Sequence, residues 1–206
     1  MTTVSNQSIL KAGALLFVFT AISVFFVALT FDSTQLRIKH NEDQLLMQRL
    51  GALVNGYNNN ILDDKFSKLI ELHGVQQTID IYPAKNHGQV FAYLIEHTYP
   101  NGYNGNIRLL TGIDVQQRLL GVRVIAHKET PGLGDKIDTR KSDWIQQFSG
   151  LSLSNPKQTD WKVKRDGGVF DAFTGATVTP RAIVTATYEL LMALNKPCSL
   201  TKQSCN

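Results

Sequence analysis

The chain has 206 residues, 43% of them hydrophobic and 18% charged, and its net charge of +4 comes from lysines and arginines scattered along it. That length supports one domain with its own core. No basic run interleaves with aromatics, which argues against a nucleic-acid partner, and two cysteines, Cys198 and Cys205, are too few to hold an iron–sulfur cluster alone.

In chain order, the first feature is residues 12–31, AGALLFVFTAISVFFVALTF, an uncharged run whose only hydroxyl residues are Thr20, Ser23 and Thr30. Twenty helical residues at ~1.5 Å rise cover ~30 Å, the thickness of a bilayer's hydrocarbon core. Only a helix keeps such a segment's backbone hydrogen-bonded in lipid. A buried core helix is the alternative. A cleaved signal peptide has a shorter apolar core and a small-x-small site, and FVALTFDS at 26–33 offers none. A retained anchor is therefore favoured, after an N-terminal tail of residues 1–11 and before a domain of residues 32–206. Lys11 precedes the run, whereas Arg37 and Lys39 follow it. By the positive-inside rule this slight excess favours the cytoplasm for the following domain.

Residues 33–54 carry a helical pattern, with Leu36, Leu46, Leu50, Leu53 and Val54 on one face. GYNNN at 56–60 is a break, and ILDDKFSKLIEL at 61–72 reads as a second helix. Four strand patterns follow, at 75–83, 89–99, 107–113 and 119–129, with the turn NGYNG at 101–105 between the second and third. Strands in succession flanked by helices predict an α+β fold with a largely antiparallel sheet. SDWIQQFS at 142–149 predicts a short helix capped by Ser142. A last helix is expected to begin at Thr179-Pro180, with Thr179 as cap, and to end at Asn195-Lys196-Pro197. Its apolar face is Ile183, Thr187, Leu190, Leu191 and Leu194. Cys198 and Cys205 would form a disulfide in an oxidising compartment or remain free thiols in a reducing one.

The motifs of common enzymes are missing. His40, His73, His87, His97 and His127 form no H-E-x-x-H and read as scattered surface histidines; no metal site is predicted. There is no G-x-S-x-G, no P-loop and no G-x-G-x-x-G after a strand. No independent catalytic residue is assigned.

Two segments remain. In 171–181, DAFTGATVTPR, the small residues Gly175 and Ala176 let a bulky group approach the backbone, between the hydroxyls of Thr174 and Thr177. The helix beginning just downstream presents free N–H groups attractive to a phosphate. The plainer account is a hydroxyl-rich helix entry. In 129–136, ETPGLGDK, Pro131 stiffens the chain, Gly132 and Gly134 permit close approach of a planar ligand, and Glu129 and Thr130 add polar groups. Leu133 is placed to lie on a ligand ring. The plainer account there is a surface turn.

Asp171-Ala172-Phe173-Thr174-Gly175-Ala176-Thr177 fits the D-x-x-[ST]-G-A-[ST] motif of proteins modified by flavin transferase. ETPGLGDKI at 129–137 resembles the flavin-pocket loop of the same proteins, as does DWIQQFSG at 143–150. With the N-terminal anchor, the whole chain resembles the RnfG/RsxG family, the G subunits of the Rnf (Rsx) electron transport complex. The related C subunit of sodium-pumping NADH:quinone reductase shares the flavin motif but is typically longer. The resemblance implies FMN joined through its phosphate to Thr177, within a site of Thr174, Gly175, Ala176, Glu129, Thr130 and Leu133, with Asp171 serving the modification. It implies a flavin transferase for maturation and the other Rnf subunits as partners. It further implies electron transfer between ferredoxin and NAD coupled to ion movement, and a soluble domain on the periplasmic face of the bacterial inner membrane. A cofactor-free anchored subunit, or a free-standing flavin reductase, is the rival from another class.

Overall fold

The computed structural model describes residues 6–196 and residue 200. Cys198, Cys205 and Pro197 lie outside the described residues, and with them the disulfide and the proline stop. The described chain divides between Gln48 and Arg49 into two units.

The first unit is helical. Helix α1 spans Asn6–Gly51 and includes Leu10–Gln35, a stretch of mean hydropathy 2.5 long enough to cross a membrane. At ~1.5 Å per residue its 26 residues cover ~39 Å, more than a hydrocarbon core needs. The side chains from Leu10 to Phe31 are all exposed. The hydroxyls within the stretch turn back on the helix. Thr20 donates to the Leu16 carbonyl at 3.0 Å, Ser23 to Phe19 at 2.9 Å and Thr30 to Phe26 at 2.8 Å. An apolar solvent would leave a hydroxyl without a partner, and these bonds remove that cost.

The second unit holds the sheet. Strands β1 (Phe66–Leu72), β2 (Val75–Asn86), β3 (Gln89–Gly102), β4 (Gly105–Asp114) and β5 (Leu119–Ala126) form an antiparallel meander in that order. The fold is α+β, as the strand run predicts, with one strand more than expected. β1 replaces the helix expected over 61–72. Its apolar residues satisfy either period, but in the chain Phe66, Lys68 and Ile70 are half-buried while Ser67, Leu69 and Glu71 are exposed. Pairing along β2, from Phe66 opposite Ile81 to Leu72 opposite Val75, decides the outcome. His73-Gly74 and His87-Gly88 make the first two turns, each pair at positive φ, the twist that two-residue hairpins favour.

Helix α2, Val178–Leu194, lies over one face of the sheet, against β1 and β3. Ile183, Ala186, Leu190, Leu191 and Leu194 share a buried cluster with Ile79, Ile81, Ile95, Ile107 and Leu109. Leu53 lies over Gly112 and Gly121, on strands β4 and β5. Leu50 and Val54 are buried nearby in sequence, so the helical pattern of 33–54 ends in core contacts.

From β5 to α2 the chain has little regular structure and relies on rings. Trp144 packs edge-on against Phe148 and Phe173, with centroids 5.6 and 5.1 Å apart. Phe148 stacks on Phe170 at 5.0 Å, and Trp161 sits 5.3 Å from Phe170. The expected helix over 142–149 is a 3-10 turn, Trp144–Phe148, whose Trp144 amide donates to Ser142 Oγ at 3.1 Å.

Two of the five histidines depart from the surface reading. His97 is 2% exposed, and the His73 side chain is buried beside it, ring centroids 6.2 Å apart. His73 Nδ1 donates to the Glu189 carboxylate, and His97 Nε2 shares a 3.1 Å hydrogen bond with Thr111 Oγ1. His97, on an inward-facing position of β3, is buried whatever its polarity because one ring nitrogen finds a partner, whereas His73, in the β1–β2 turn, is covered by Tyr99 and paired with Glu189.

Candidate functional site

The two segments singled out in the sequence meet. A pocket of about 260 Å³ is lined by Glu129, Thr130, Leu133 and Gly134 from one, and by Gly175, Ala176, Thr177, Val178 and Thr179 from the other. Tyr103, at the tip of the β3–β4 hairpin, completes it.

The second segment begins as a turn. Ala176 N–H donates to the Phe173 carbonyl at 3.1 Å, and Gly175 holds φ +81°, a left-handed conformation that costs glycine no clash. A side chain at 175 would approach Leu133 Cδ2 at 3.6 Å, which measures how closely the two segments lie. The turn is fixed from behind, by the Trp144 ring on Phe173 and by Trp144 Nε1 donating to the Asp171 carbonyl at 2.8 Å.

Helix α2 then starts at Val178, one residue before the expected cap. Thr179 is not the cap. It is buried, and its hydroxyl donates to the Glu129 carboxylate. Competition for Thr179 between the helix end and a buried carboxylate is won by the carboxylate, since a charge-assisted bond is the stronger. Thr177 is left as the residue before the helix, half-buried, its hydroxyl making no capping bond.

Glu129 is 4% exposed, the deepest charge in the site. Besides Thr179, it accepts the Asn104 amide at 3.1 Å. A side chain at Gly134 would come within 2.7 Å of Thr179 Oγ1 and 3.0 Å of Glu129 Oε2. Gly134 therefore lines the pocket and also has protein where a side chain would go, so its smallness is needed for the Glu129–Thr179 contact. Gly132, at φ +77°, faces open space.

Of the remaining predicted residues, Thr174 and Asp171 are exposed and line no part of the pocket. The Asp171 carboxylate lies 2.6 Å from Lys164 Nζ. Sequence reasoning missed Tyr103, Val178 and Arg165. Arg165 donates from Nη1 to Thr177 Oγ1 at 3.3 Å across twelve residues of irregular chain, and no spacing rule anticipates that. Tyr103 left one readable sign, an aromatic residue in the tight turn NGYNG, where 68% of it stays exposed.

The pocket suits a flavin mononucleotide. Tyr103, Leu133 and Val178 offer apolar surface exposed at 68%, 44% and 39%. Thr177 offers a reachable hydroxyl, and Arg165 a cation beside it. The volume is somewhat below the ~300–1,000 Å³ typical of sites that enclose a small molecule, so a flavin held here would keep an exposed edge. Among the described residues no group of three or more metal-binding side chains comes together.

Residues 102–192 match the FMN-binding domain family, and residues 1–53 match the RnfG N-terminal region. Over 194 residues the chain is 42% identical to the G subunit of the ion-translocating oxidoreductase complex of Pseudomonas aeruginosa, covering 93% of this chain and 91% of that one. It is 43% identical to the G subunit of the same complex from Vibrio cholerae, over 92% and 91% of the two chains. Against the Shewanella baltica protein the figures are 44%, 88% and 87%.

Proposed function

Because the chain belongs to the G-subunit family of ion-translocating oxidoreductase complexes, we propose that it carries FMN on Thr177, linked through the phosphate, and passes electrons within such a complex. The family and its FMN-binding domain make the chain an electron-transport subunit of a membrane assembly. The proposal adds the covalent link, the coupling of ferredoxin–NAD electron transfer to ion movement, and a flavin transferase that loads the protein. With α1 as anchor, the domain faces the periplasm of the bacterial inner membrane.

The observation that carries this reading is the meeting of the 129–134 loop with Thr177 at one pocket. A flavin supplies one- and two-electron chemistry, and the protein's part is to hold and tune it. Thr177 would be the attachment point: its Oγ1 would form a bond to the flavin donor's phosphorus as the P–O bond to the donor's leaving group breaks, and the hydroxyl proton would pass to that leaving group. Leu133 and Val178 would keep water from part of a bound ring, and Tyr103 would offer it apolar surface from the hairpin. Glu129 holds the loop and α2 at a fixed separation. Asp171, exposed on the turn, is reachable by a modifying enzyme.

The test is mass spectrometry on protein produced with a flavin transferase. The tryptic peptide 166–181 should carry one added FMN, and Thr177→Val should lose it while keeping the fold. FMN on Thr174, or none at all, overturns the assignment. The second outcome would favour a cofactor-free structural subunit.

A further inference from the structure

Arg165 differs from its neighbours in what it touches. It lies in the short 3-10 turn Lys164–Asp166. Lys164 is paired with Asp171. Asp166 accepts two hydrogen bonds from Arg181, at 2.6 and 2.9 Å. These pairs tie the turn both to the segment that begins at Asp171 and to the first turns of α2, on either side of Thr177. Arg165, between them in sequence, is exposed and makes no ion pair among the described residues, although its charge acts through space on the adjacent Asp166. Its guanidinium donates to the neutral hydroxyl of Thr177 at 3.3 Å.

A guanidinium is always charged and presents five donors in a fork that matches phosphate oxygens. One hydroxyl uses one of those donors and offsets no charge. We propose that Arg165 is the phosphate-holding residue of this site, a cation positioned in advance for the phosphodiester that forms on Thr177. The proposal rests on the reading that Thr177 carries FMN. A phosphorus bonded to Oγ1 brings anionic oxygens to the atom that the guanidinium already contacts. Arg165 then exchanges a neutral partner for a charged one, and the pairing fixes the proximal end of the flavin chain. The flanking ion pairs engage Asp171 with Lys164 and Asp166 with Arg181, so neither carboxylate makes an ion pair with Arg165, and Asp166 feels it only through space.

The experiment uses the full chain in detergent, produced with and without a flavin transferase and treated with phenylglyoxal, which modifies free guanidinium groups. Adducts are quantified residue by residue by mass spectrometry. Arg140, exposed and remote in sequence from Thr177, serves as the internal reference. In FMN-loaded protein Arg165 should react roughly fivefold more slowly than in unloaded protein, the scale of a charge-assisted pair at a partly exposed site. Arg140 should react equally in both. Equal rates at Arg165, or an equal fall at both arginines, overturns the role of Arg165 and leaves the attachment standing. If no FMN is found on Thr177, the attachment itself fails and the role of Arg165 falls with it.

Discussion

Glu129 shows how one buried charge can organise a site. Its carboxylate joins the 129–134 loop to Thr179 on α2 and to Asn104 in the β3–β4 hairpin. A buried carboxylate needs such hydrogen-bond partners, so their loss is costly. Gly134 leaves the space those partners need. Gly134→Ala puts a methyl group within 2.7 Å of Thr179 Oγ1, so one of the pair must move. The expected loss is about 1–3 kcal/mol, read as a lowered midpoint in urea unfolding of unloaded protein. An unchanged midpoint would show that the loop shifts freely and that Glu129 is no latch. The sequence singles out Glu129 and Gly134 as neighbours of a ligand, and both line the pocket. Their protein contacts, with Asn104 and Thr179, lie 25 and 45–50 residues away in the chain, and local spacing carries no trace of them.

At the scale of elements, legibility follows the period. α1 was readable from its uncharged run, and β2 to β5 from alternation and branched side chains. The stretch 61–72 was not, because Ile61, Leu62, Phe66, Leu69 and Ile70 fit a helical stripe as well as a strand. Only the neighbouring β2 settles which backbone bonds form. α2 was readable along its apolar face but not at its start, where Thr179 serves a distant carboxylate. The same face yields a sharp prediction. Leu190→Ala removes a fully buried side chain from the α2–sheet contact, and should cost roughly 2–5 kcal/mol. Met192→Ala, at an exposed position of the same helix, should change stability by less than about 0.5 kcal/mol. Chemical denaturation of the two variants side by side checks the contrast. Similar losses would mean that α2 packs differently.

For the whole molecule, acid stability is set from the interior. Burial, helped by the neighbouring His73, holds the His97 imidazole down at about 3, from an ordinary 6.5. Its pKa is thus lowered on folding. Below pH 6.5 the unfolded chain takes up a proton that the folded one refuses, so stability falls as the pH drops towards 3. At pH 5 the loss is roughly 2 kcal/mol from this residue. Hydrogen bonds from Arg140 and Arg181 keep Asp138 and Asp166 below the usual carboxylate range, and their contribution fades in the same direction at still lower pH. Urea midpoints measured from pH 7 to pH 4.5 should decline, and His97→Gln should flatten that decline; a variant with the wild-type slope would place its cause elsewhere. The order of the elements has a consequence in time. Every strand of the meander pairs with its sequence neighbour, so the sheet can assemble as the chain emerges, without waiting for distant segments. Its apolar face, however, is covered by α2, which follows all five strands. Until residues 178–194 arrive, Ile79, Ile81, Ile95, Ile107 and Leu109 stand open to solvent, and the half-made domain is a substrate for chaperones and a seed for aggregation.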